Sequence, residues 1–215
     1  MTSANTRVDF DVILDIVPTR AKVLDLGCGD GELLVRLAEH KSVIGRGIEL
    51  SELGVRQCVA RGLSVRQGNI DEGLNDYPDA SFDYVILSQT LPYVDDQKAV
   101  LCEMLRVGKQ AIISFPNMAH WRARLCLLLT GRLPDDVFPG SRWYESPRAR
   151  PISIEGFLSF CAREGIVVAQ SIFLNGSGQL QGILKNSLWA TTGLFVLKGS
   201  CAPCIDERGP ARNES

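Results

Sequence analysis

The sequence predicts an α/β fold: a doubly wound, mostly parallel seven-stranded sheet with helices on both faces, finished by a C-terminal antiparallel hairpin. Three observations lead there. Residues 22–31, Lys-Val-Leu-Asp-Leu-Gly-Cys-Gly-Asp-Gly, form an apolar run that ends in alternating glycines and passes directly into a helical pattern. Short apolar runs and helix-period segments then alternate along the chain. Two apolar runs near the end, residues 166–174 and 187–197, stand close enough to pair as a hairpin. With 215 residues, 45% of them hydrophobic, the chain can bury one substantial core, so residues 1–198 are read as a single domain. Residues 199–215 are polar, without periodicity, and are expected to be a disordered tail.

The elements follow in order. Val8, Phe10, Ile13, Leu14 and Val17 fall at helical spacing before Pro18, which gives a helix suited to covering the mouth or edge of the sheet. Strand one and its glycine turn come next, then a helix over residues 30–40 with Leu33, Leu34 and Leu37 on one face and His40 in the last turn, favourable to the helix dipole. Strand two spans 43–49. Ser51 caps a helix that stops at Gly62, and strand three follows at 63–67. After a turn at 77–81, residues 82–88 are dense enough in apolar side chains for the centre of a parallel sheet. A helix over 95–107 precedes strand five at 110–115, and a leucine-rich helix ends at Gly131. Residues 131–151 make a long loop with four prolines, and 153–165 read as a helix between a serine cap and a glycine stop.

The glycine turn is the chemical centre. Glycines at 27, 29 and 31 allow positive φ and bring main-chain N–H groups against a ligand. In a dinucleotide turn, Gly-x-Gly-x-x-Gly, the third glycine would fall at Glu32, whose size and charge oppose a pyrophosphate. Asp25 and Asp30 would likewise repel a phosphate while suiting an ammonium or sulfonium cation. Glu49 ends strand two, where a doubly wound sheet meets ribose hydroxyls. Ser88-Gln89-Thr90 close strand four and should face the cofactor or the substrate mouth. Asn117 and His120 follow strand five, and His120 is a candidate general base that could equally cap or pack. Trp143 and Tyr144, in the long loop, are candidates for substrate or partner contact, because aromatic residues are enriched at interfaces.

Asp25-x-Gly27-x-Gly29-x-Gly31 with Glu49 resembles the first motifs of the class I S-adenosylmethionine-dependent methyltransferases. That resemblance implies S-adenosylmethionine as cofactor, with Asp25, Gly27, Cys28, Gly29, Gly31, Glu49, Leu50 and Ser88 around it. It places the adenine contact after strand three, at Asn69, at the Ile70 N–H or at Asp71; the superfamily usually has Asp where this chain has Asn69. Further phrases are similar to a narrower group, the bacterial methionine-biosynthesis MetW family: Val23-Leu-Asp-Leu-Gly-Cys-Gly-Asp-Gly-Glu32, Gly47-Ile-Glu49, Cys58-Val-Ala-Arg-Gly-Leu63, Ser81-Phe-Asp-Tyr-Val-Ile-Leu-Ser-Gln-Thr90, Glu103-Met-Leu-Arg-Val-Gly108, Ser114-Phe-Pro-Asn117 and His120-Trp-Arg122. This resemblance implies an accessory or regulatory subunit that associates with and supports homoserine O-acyltransferase. The alternative is a methyltransferase acting on a small molecule, with Ser88, Gln89, Asn117 and His120 lining the acceptor side; the chain lacks the Asn-Pro-Pro-Tyr-type phrase with which amino methyltransferases orient an amine.

Composition bounds the rest. A net charge of −2 builds in no attraction to nucleic acid or to an anionic membrane. Neither a signal peptide nor an apolar run long enough to span a bilayer is present, so a cytoplasmic location is expected. Cys28, Cys58, Cys102, Cys126 and Cys161 fall singly in elements, as free cysteines that pack as small hydrophobes. Cys201-Ala-Pro-Cys204 lacks the further ligands that a zinc site requires, so no metal is expected.

Overall fold

The computed structural model describes residues 7–132, 149–176, 178–181 and 187–199. The elements are α1 (Val8–Ile16), β1 (Lys22–Leu26), α2 (Glu32–Lys41), β2 (Ile44–Glu49), α3 (Glu52–Ala60), β3 (Ser64–Gln67), β4 (Phe82–Ser88), α4 (Gln97–Val107), β5 (Gly108–Pro116), α5 (Trp121–Thr130), α6 (Ile154–Glu164), β6 (Val167–Asn175), β7 (Gly178–Gln179) and β8 (Thr192–Lys198). They build one sheet in the order β3-β2-β1-β4-β5-β8-β6-β7. β1 to β5 are parallel, and β8 is antiparallel to both β5 and β6. The chain reverses its direction of travel across the sheet between β1 and β4, which opens a crevice at the carboxyl ends of those strands.

The doubly wound architecture is as the sequence predicts, with one correction. The sheet has eight strands, because residues 178–179 add a two-residue edge strand to β6 inside the segment read as a plain hairpin loop. The last strand also begins at Thr192 rather than at 187; residues 187–189 form a turn. That turn is held from outside, by hydrogen bonds that a local apolar pattern does not reveal.

Strand alternation sorts the core into two layers. Leu24, Leu26, Val85, Leu87, Ile113 and Phe195 face α4 and α6, where Phe115, Phe157 and Phe195 have ring centroids 4.8–5.6 Å apart. Val23, Ile86 and Ile112 face the other way, against Phe10, Ile13 and Val17 of α1 and Leu33, Leu34 and Leu37 of α2. The same parity puts Asp25, Ser88 and Ser114 on the α1 face at the carboxyl ends of β1, β4 and β5, paired in register as Asp25 with Ile86 and Ser88 with Ser114. α1 thus lies over the polar end of a layer that is otherwise apolar.

Helix boundaries follow side-chain caps. Ser51, Asp96 and Ser153 accept N–H bonds at the starts of α3, α4 and α6, and a left-handed Gly165 ends α6. His40 Nδ1 lies 2.9 Å from the Arg36 carbonyl in the last turn of α2. Cys28, Cys58, Cys126 and Cys161 are free, whereas Cys102 on α4 is disulfide-bonded, a correction to its reading as a free thiol; helical periodicity carries no information about sulfur pairing. Among the described residues no helix is long and apolar enough to cross a membrane.

Candidate functional site

The turn after β1 is built by three glycines with φ of +70°, +57° and +80°, and packing distinguishes them. A Cβ on Gly31 would stand 2.3 Å from Leu63 Cδ1 and 2.9 Å from Cys58 Sγ, and one on Gly27 would stand 2.8 Å from Thr90 Oγ1. Those two glycines let the turn sit against its neighbours. A Cβ on Gly29 would meet nothing within 4 Å. Gly29 therefore presents bare backbone to open space, a cradle that any side chain would fill.

Glu49 fixes the other wall. Its carboxylate accepts from the Gly29 N–H at 2.8 Å and from the Ser51 N–H at 2.8 Å, so the end of β2 is tied to the turn. A Cβ on Gly54 would come within 2.8 Å of the Gly29 carbonyl, which is why α3 can press so close. Cys28 turns its side chain inward, where its Sγ lies 3.8 Å from Cys58 Sγ; the burial of Cys28 and its acidic neighbours push the thiol's pKa up. Its main chain closes the turn, with the N–H donating to the Ile48 carbonyl at 3.2 Å and the carbonyl accepting from the Gly31 N–H at 2.9 Å, so toward a ligand Cys28 offers the surface of its backbone. Leu50, 65% exposed, sets an apolar side chain beside Glu49.

Asp25 is the unusual charge. It is 2% exposed, and its carboxylate makes no hydrogen bond among the described residues. Burial pushes its pKa up to about 7; Arg7 opposes that shift, and Glu49 and Asp9 add to it. A buried anion left without a partner is suited to receive a cation. This anion and the open cradle at Gly29 fit the residues to a sulfonium nucleoside carrying an amino-acid chain.

Asp30, by contrast, does not await a cation. One of its oxygens accepts from the Glu32 N–H at 3.2 Å and the other pairs with Arg61 at 2.8 Å. After β3, Asn69 Oδ1 accepts from the Asp71 N–H at 3.0 Å, and Asp71 Oδ1 accepts from the N–H groups of Asp95 and Asp96 at 3.0 and 3.2 Å. Of the three expected adenine contacts, two are engaged in shaping loops. The Ile70 N–H, first in its 3₁₀ turn, is the third.

The expected acceptor side is more fully committed still. Asn117 is 3% exposed; its amide donates to the carbonyls of Ser187 and Ala190 at 2.6 and 2.8 Å and accepts from the N–H groups of Ala119 and Ile154 at 3.1 and 3.3 Å. With all four bonds made it ties β5 to α6 and to the segment before β8, and it offers a substrate nothing. Gln89 has φ of +58° and is held by its N–H to the Ser114 carbonyl at 2.8 Å and by Nε2 to Ser114 Oγ at 3.2 Å. His120 caps α5, its Nδ1 3.4 Å from the Arg122 N–H. Trp143 and Tyr144 lie outside the described residues.

Two residues to which the sequence pattern assigns no role complete the site. Asp9 on α1 is 4% exposed and accepts from Ser88 Oγ at 2.7 Å and Ser114 Oγ at 2.9 Å. Arg7 binds it through both carboxylate oxygens, at 3.0 and 2.9 Å, and reaches Ser88 Oγ at 2.7 Å. Burial opposes ionisation of Asp9, but Arg7 and the two hydroxyls outweigh it and hold the carboxyl below the usual range. A signal was present: the i, i+4 step that links Val17 to Ile13 lands next on Asp9, a charge on an apolar stripe. A separate cavity of about 220 Å³, lined by Lys22, Ile44, Arg46, Tyr77 and Phe82 among others, opens at the amino ends of β1, β2 and β4, away from the turn.

Comparison with known proteins gives the family and the fold. A family model described as methionine biosynthesis protein MetW matches residues 7–197. A bifunctional methionine biosynthesis protein MetXA/MetW from Rhodopirellula baltica is 34% identical over 177 residues, 77% of this chain and 28% of that protein. A 27-O-demethylrifamycin SV methyltransferase from Amycolatopsis mediterranei is 31% identical over 118 residues, 50% of this chain and 42% of that one. This chain thus spans less than half the length of either relative. An S-adenosylmethionine-dependent methyltransferase from Mesorhizobium loti superposes with a TM-score of 0.65 at 14% identity, over 92% of this chain and all of that one, and shows the shared fold.

Proposed function

The chain belongs to the family of methionine biosynthesis protein MetW, and from that membership we propose that it binds S-adenosylmethionine in the crevice beside β1 and serves as an accessory or regulatory subunit of homoserine O-acyltransferase. The observation that carries the partnership is the Rhodopirellula relative, in which a segment like this chain is continuous with the rest of a protein named for both MetXA and MetW. Two functions joined in one polypeptide are held at high effective concentration, and the same proximity in separate chains requires a binding surface. α5 offers one: Leu125, Leu127, Leu128 and Leu129 are 44%, 51%, 80% and 72% exposed.

Each wall of the crevice has a role toward the cofactor. Asp25 supplies the negative charge toward the amino-acid chain and its sulfonium, Gly29 and Cys28 supply backbone, Glu49 receives ribose hydroxyls, Leu50 covers one face of the base and the Ile70 N–H meets its edge. When bound, the cofactor would bring an electrophilic methyl group. The alternative reading, methyl transfer to a small molecule, is supported by the methyltransferase relative, but the acceptor side favours the accessory role, because Ser88 bonds to Asp9, Gln89 bonds to Ser114 and Asn117 spends its amide on the main chain. Regulation then follows from linkage: a ligand that prefers one conformation of this chain changes the activity of the complex by its difference in affinity.

The test is an acyltransferase assay with the partner enzyme alone, with this chain, and with this chain plus S-adenosylmethionine. The expected outcome is co-elution and a change in acyl-transfer rate on adding the chain, with Leu128→Glu weakening co-elution while leaving the melting temperature within a few degrees. Unchanged acyl transfer, together with release of S-adenosylhomocysteine from some acceptor, would favour the enzyme reading instead.

A further inference from the structure

We propose that the cavity at the amino ends of β1, β2 and β4 is a second ligand site, and that it takes a small organic monocarboxylate: one carboxylate carried on an apolar ring or a short acyl chain. The cavity lies at the end of the sheet opposite the glycine turn, about 16 Å away along β1 at roughly 3.3 Å per residue from Lys22 to Gly27. It stands apart from the cofactor crevice.

The fold leaves this space open for a local reason. Parallel strands are usually joined by a helix that covers the sheet, but β3 and β4 are joined by residues 68–81, whose only regular piece is a three-residue 3₁₀ turn, Ile70–Glu72. Leu74 and Tyr77 of that connection reach the α4 face of the sheet, yet Ile44 of β2 stays 61% exposed. Strand parity puts Lys22, Ile44 and Arg46 on this same thinly covered face, because Lys22 shares its side with Leu24 and Leu26, and Ile44 and Arg46 share theirs with Ile48. A cavity of about 220 Å³ results.

Its lining is divided by chemistry. Ile44, Tyr77, Pro78 and Phe82 make an apolar wall, in which the Tyr77 and Phe82 rings meet edge to face at 5.5 Å and the Arg66 guanidinium lies 5.9 Å from the Tyr77 ring centre. The Arg46 guanidinium and the Lys22 ammonium supply the charge, and neither makes a hydrogen bond or ion pair among the described residues. The nearby acids are already taken. Asp83 spends one oxygen on Lys109 at 2.8 Å and the other on the Lys22 main-chain N–H at 2.9 Å, and Asp76 pairs with Arg66. Ser81 Oγ, buried in the same lining without a hydrogen-bond partner, adds a hydroxyl that a carboxylate oxygen would satisfy. Two unpaired cations beside an apolar wall suit an anion with an apolar body.

Size and charge narrow the class. Liquid water takes about 30 Å³ per molecule, so the cavity holds the equivalent of about seven waters and falls short of the roughly 300 Å³ at which cofactor pockets begin. One ring or a short chain fits that bulk. A phosphate would gain the cations but leave the apolar wall uncovered and bring its second charge toward Asp76, whereas a neutral ring would leave both cations unpaired.

Benzoate, its neutral counterpart benzamide and inorganic phosphate are the probes, titrated into the full chain at fixed ionic strength and followed by amide NMR, with melting curves recorded for each protein. Benzoate is expected to shift the signals of residues 22, 44–46 and 76–82, and to bind about tenfold or more tightly than either benzamide or phosphate, the scale of a charge-assisted hydrogen bond. Arg46→Gln, which alters an exposed side chain, should bring benzoate down to the affinity of benzamide while the melting temperature stays within a few degrees. Lys22→Gln is judged by the same ratio should Arg46→Gln fail to fold. Equal affinity for benzoate and benzamide, phosphate binding as tightly as benzoate, shifts confined to residues 25–31, or an Arg46→Gln chain that keeps the preference would each overturn the assignment. A parent chain indifferent to benzoate, whose Arg46→Gln variant no longer co-elutes with the acyltransferase, would overturn it too and make this face a protein contact.

Discussion

Replacing Asp25 with Asn is expected to stabilise the protein at pH 8 by about 2 kcal/mol while abolishing measurable cofactor binding. The carboxyl is buried without a hydrogen bond and its pKa is pushed from 3.8 up to about 7, so the fold resists its ionisation by roughly 4 kcal/mol. A buried amide lacking partners returns part of that gain, about 2 kcal/mol. The sign follows from proton linkage. Between about pH 4 and pH 7 the folded chain holds this proton more tightly than the unfolded chain does, so the stabilisation by the neutral acid is complete below the lower value and is lost as pH rises through the upper one. The advantage of Asn should therefore be full above pH 7, cross zero about midway between the two values, and reverse near pH 4, where the amide's cost of about 2 kcal/mol stands alone. Melting temperatures across that range, with calorimetry at pH 8, measure both halves. An Asn variant no more stable than the parent at pH 8, or one that still binds, would show that Asp25 is not the charge the crevice is built around.

The second large effect separates two glycines of one turn. Gly31→Val places a branched side chain at φ +80°, with its Cβ 2.3 Å from Leu63 and 2.9 Å from Cys58 Sγ. Left-handed strain and overpacking together should cost about 4 kcal/mol, a large part of a domain's total stability. Gly29→Val shares the strain at φ +57° but meets no atom within 4 Å of its Cβ, so its cost should be nearer 1–2 kcal/mol. Its side chain would fill the space that the ligand would occupy. Denaturant melts and calorimetry should thus show Gly31→Val as the unstable variant and Gly29→Val as folded without binding; a Gly29→Val chain that binds normally would remove the turn from the site.

These contrasts also mark what a sequence can carry. The strand, turn and helix around residue 27 are written locally, in an apolar run, glycines and a helical period, and the sheet order follows from the topology those elements impose. Glu49 is legible for the same reason, as the terminal residue of a strand. Asn117 is not: its four bonds go to residues 119, 154, 187 and 190, and no spacing rule distinguishes a residue that faces solvent from one that clamps three segments together. Ser88 and Gln89 stand near the expected mouth, but their partners on α1 and β5 decide that their polar atoms turn inward. Asp9 was legible in principle, since its place on the stripe of Ile13 and Val17 conflicts with its charge, and such a conflict between local pattern and burial is what functional sites leave behind.

A calorimetric titration of the unmodified chain with S-adenosylmethionine at pH 6 and pH 8 tests the role of Asp25 in the crevice most directly. If the ligand binds only where Asp25 is ionised, affinity should rise by up to tenfold per pH unit below about 7 and level off above it. Absence of heat at both pH values, or an affinity that does not change between them, would contradict it.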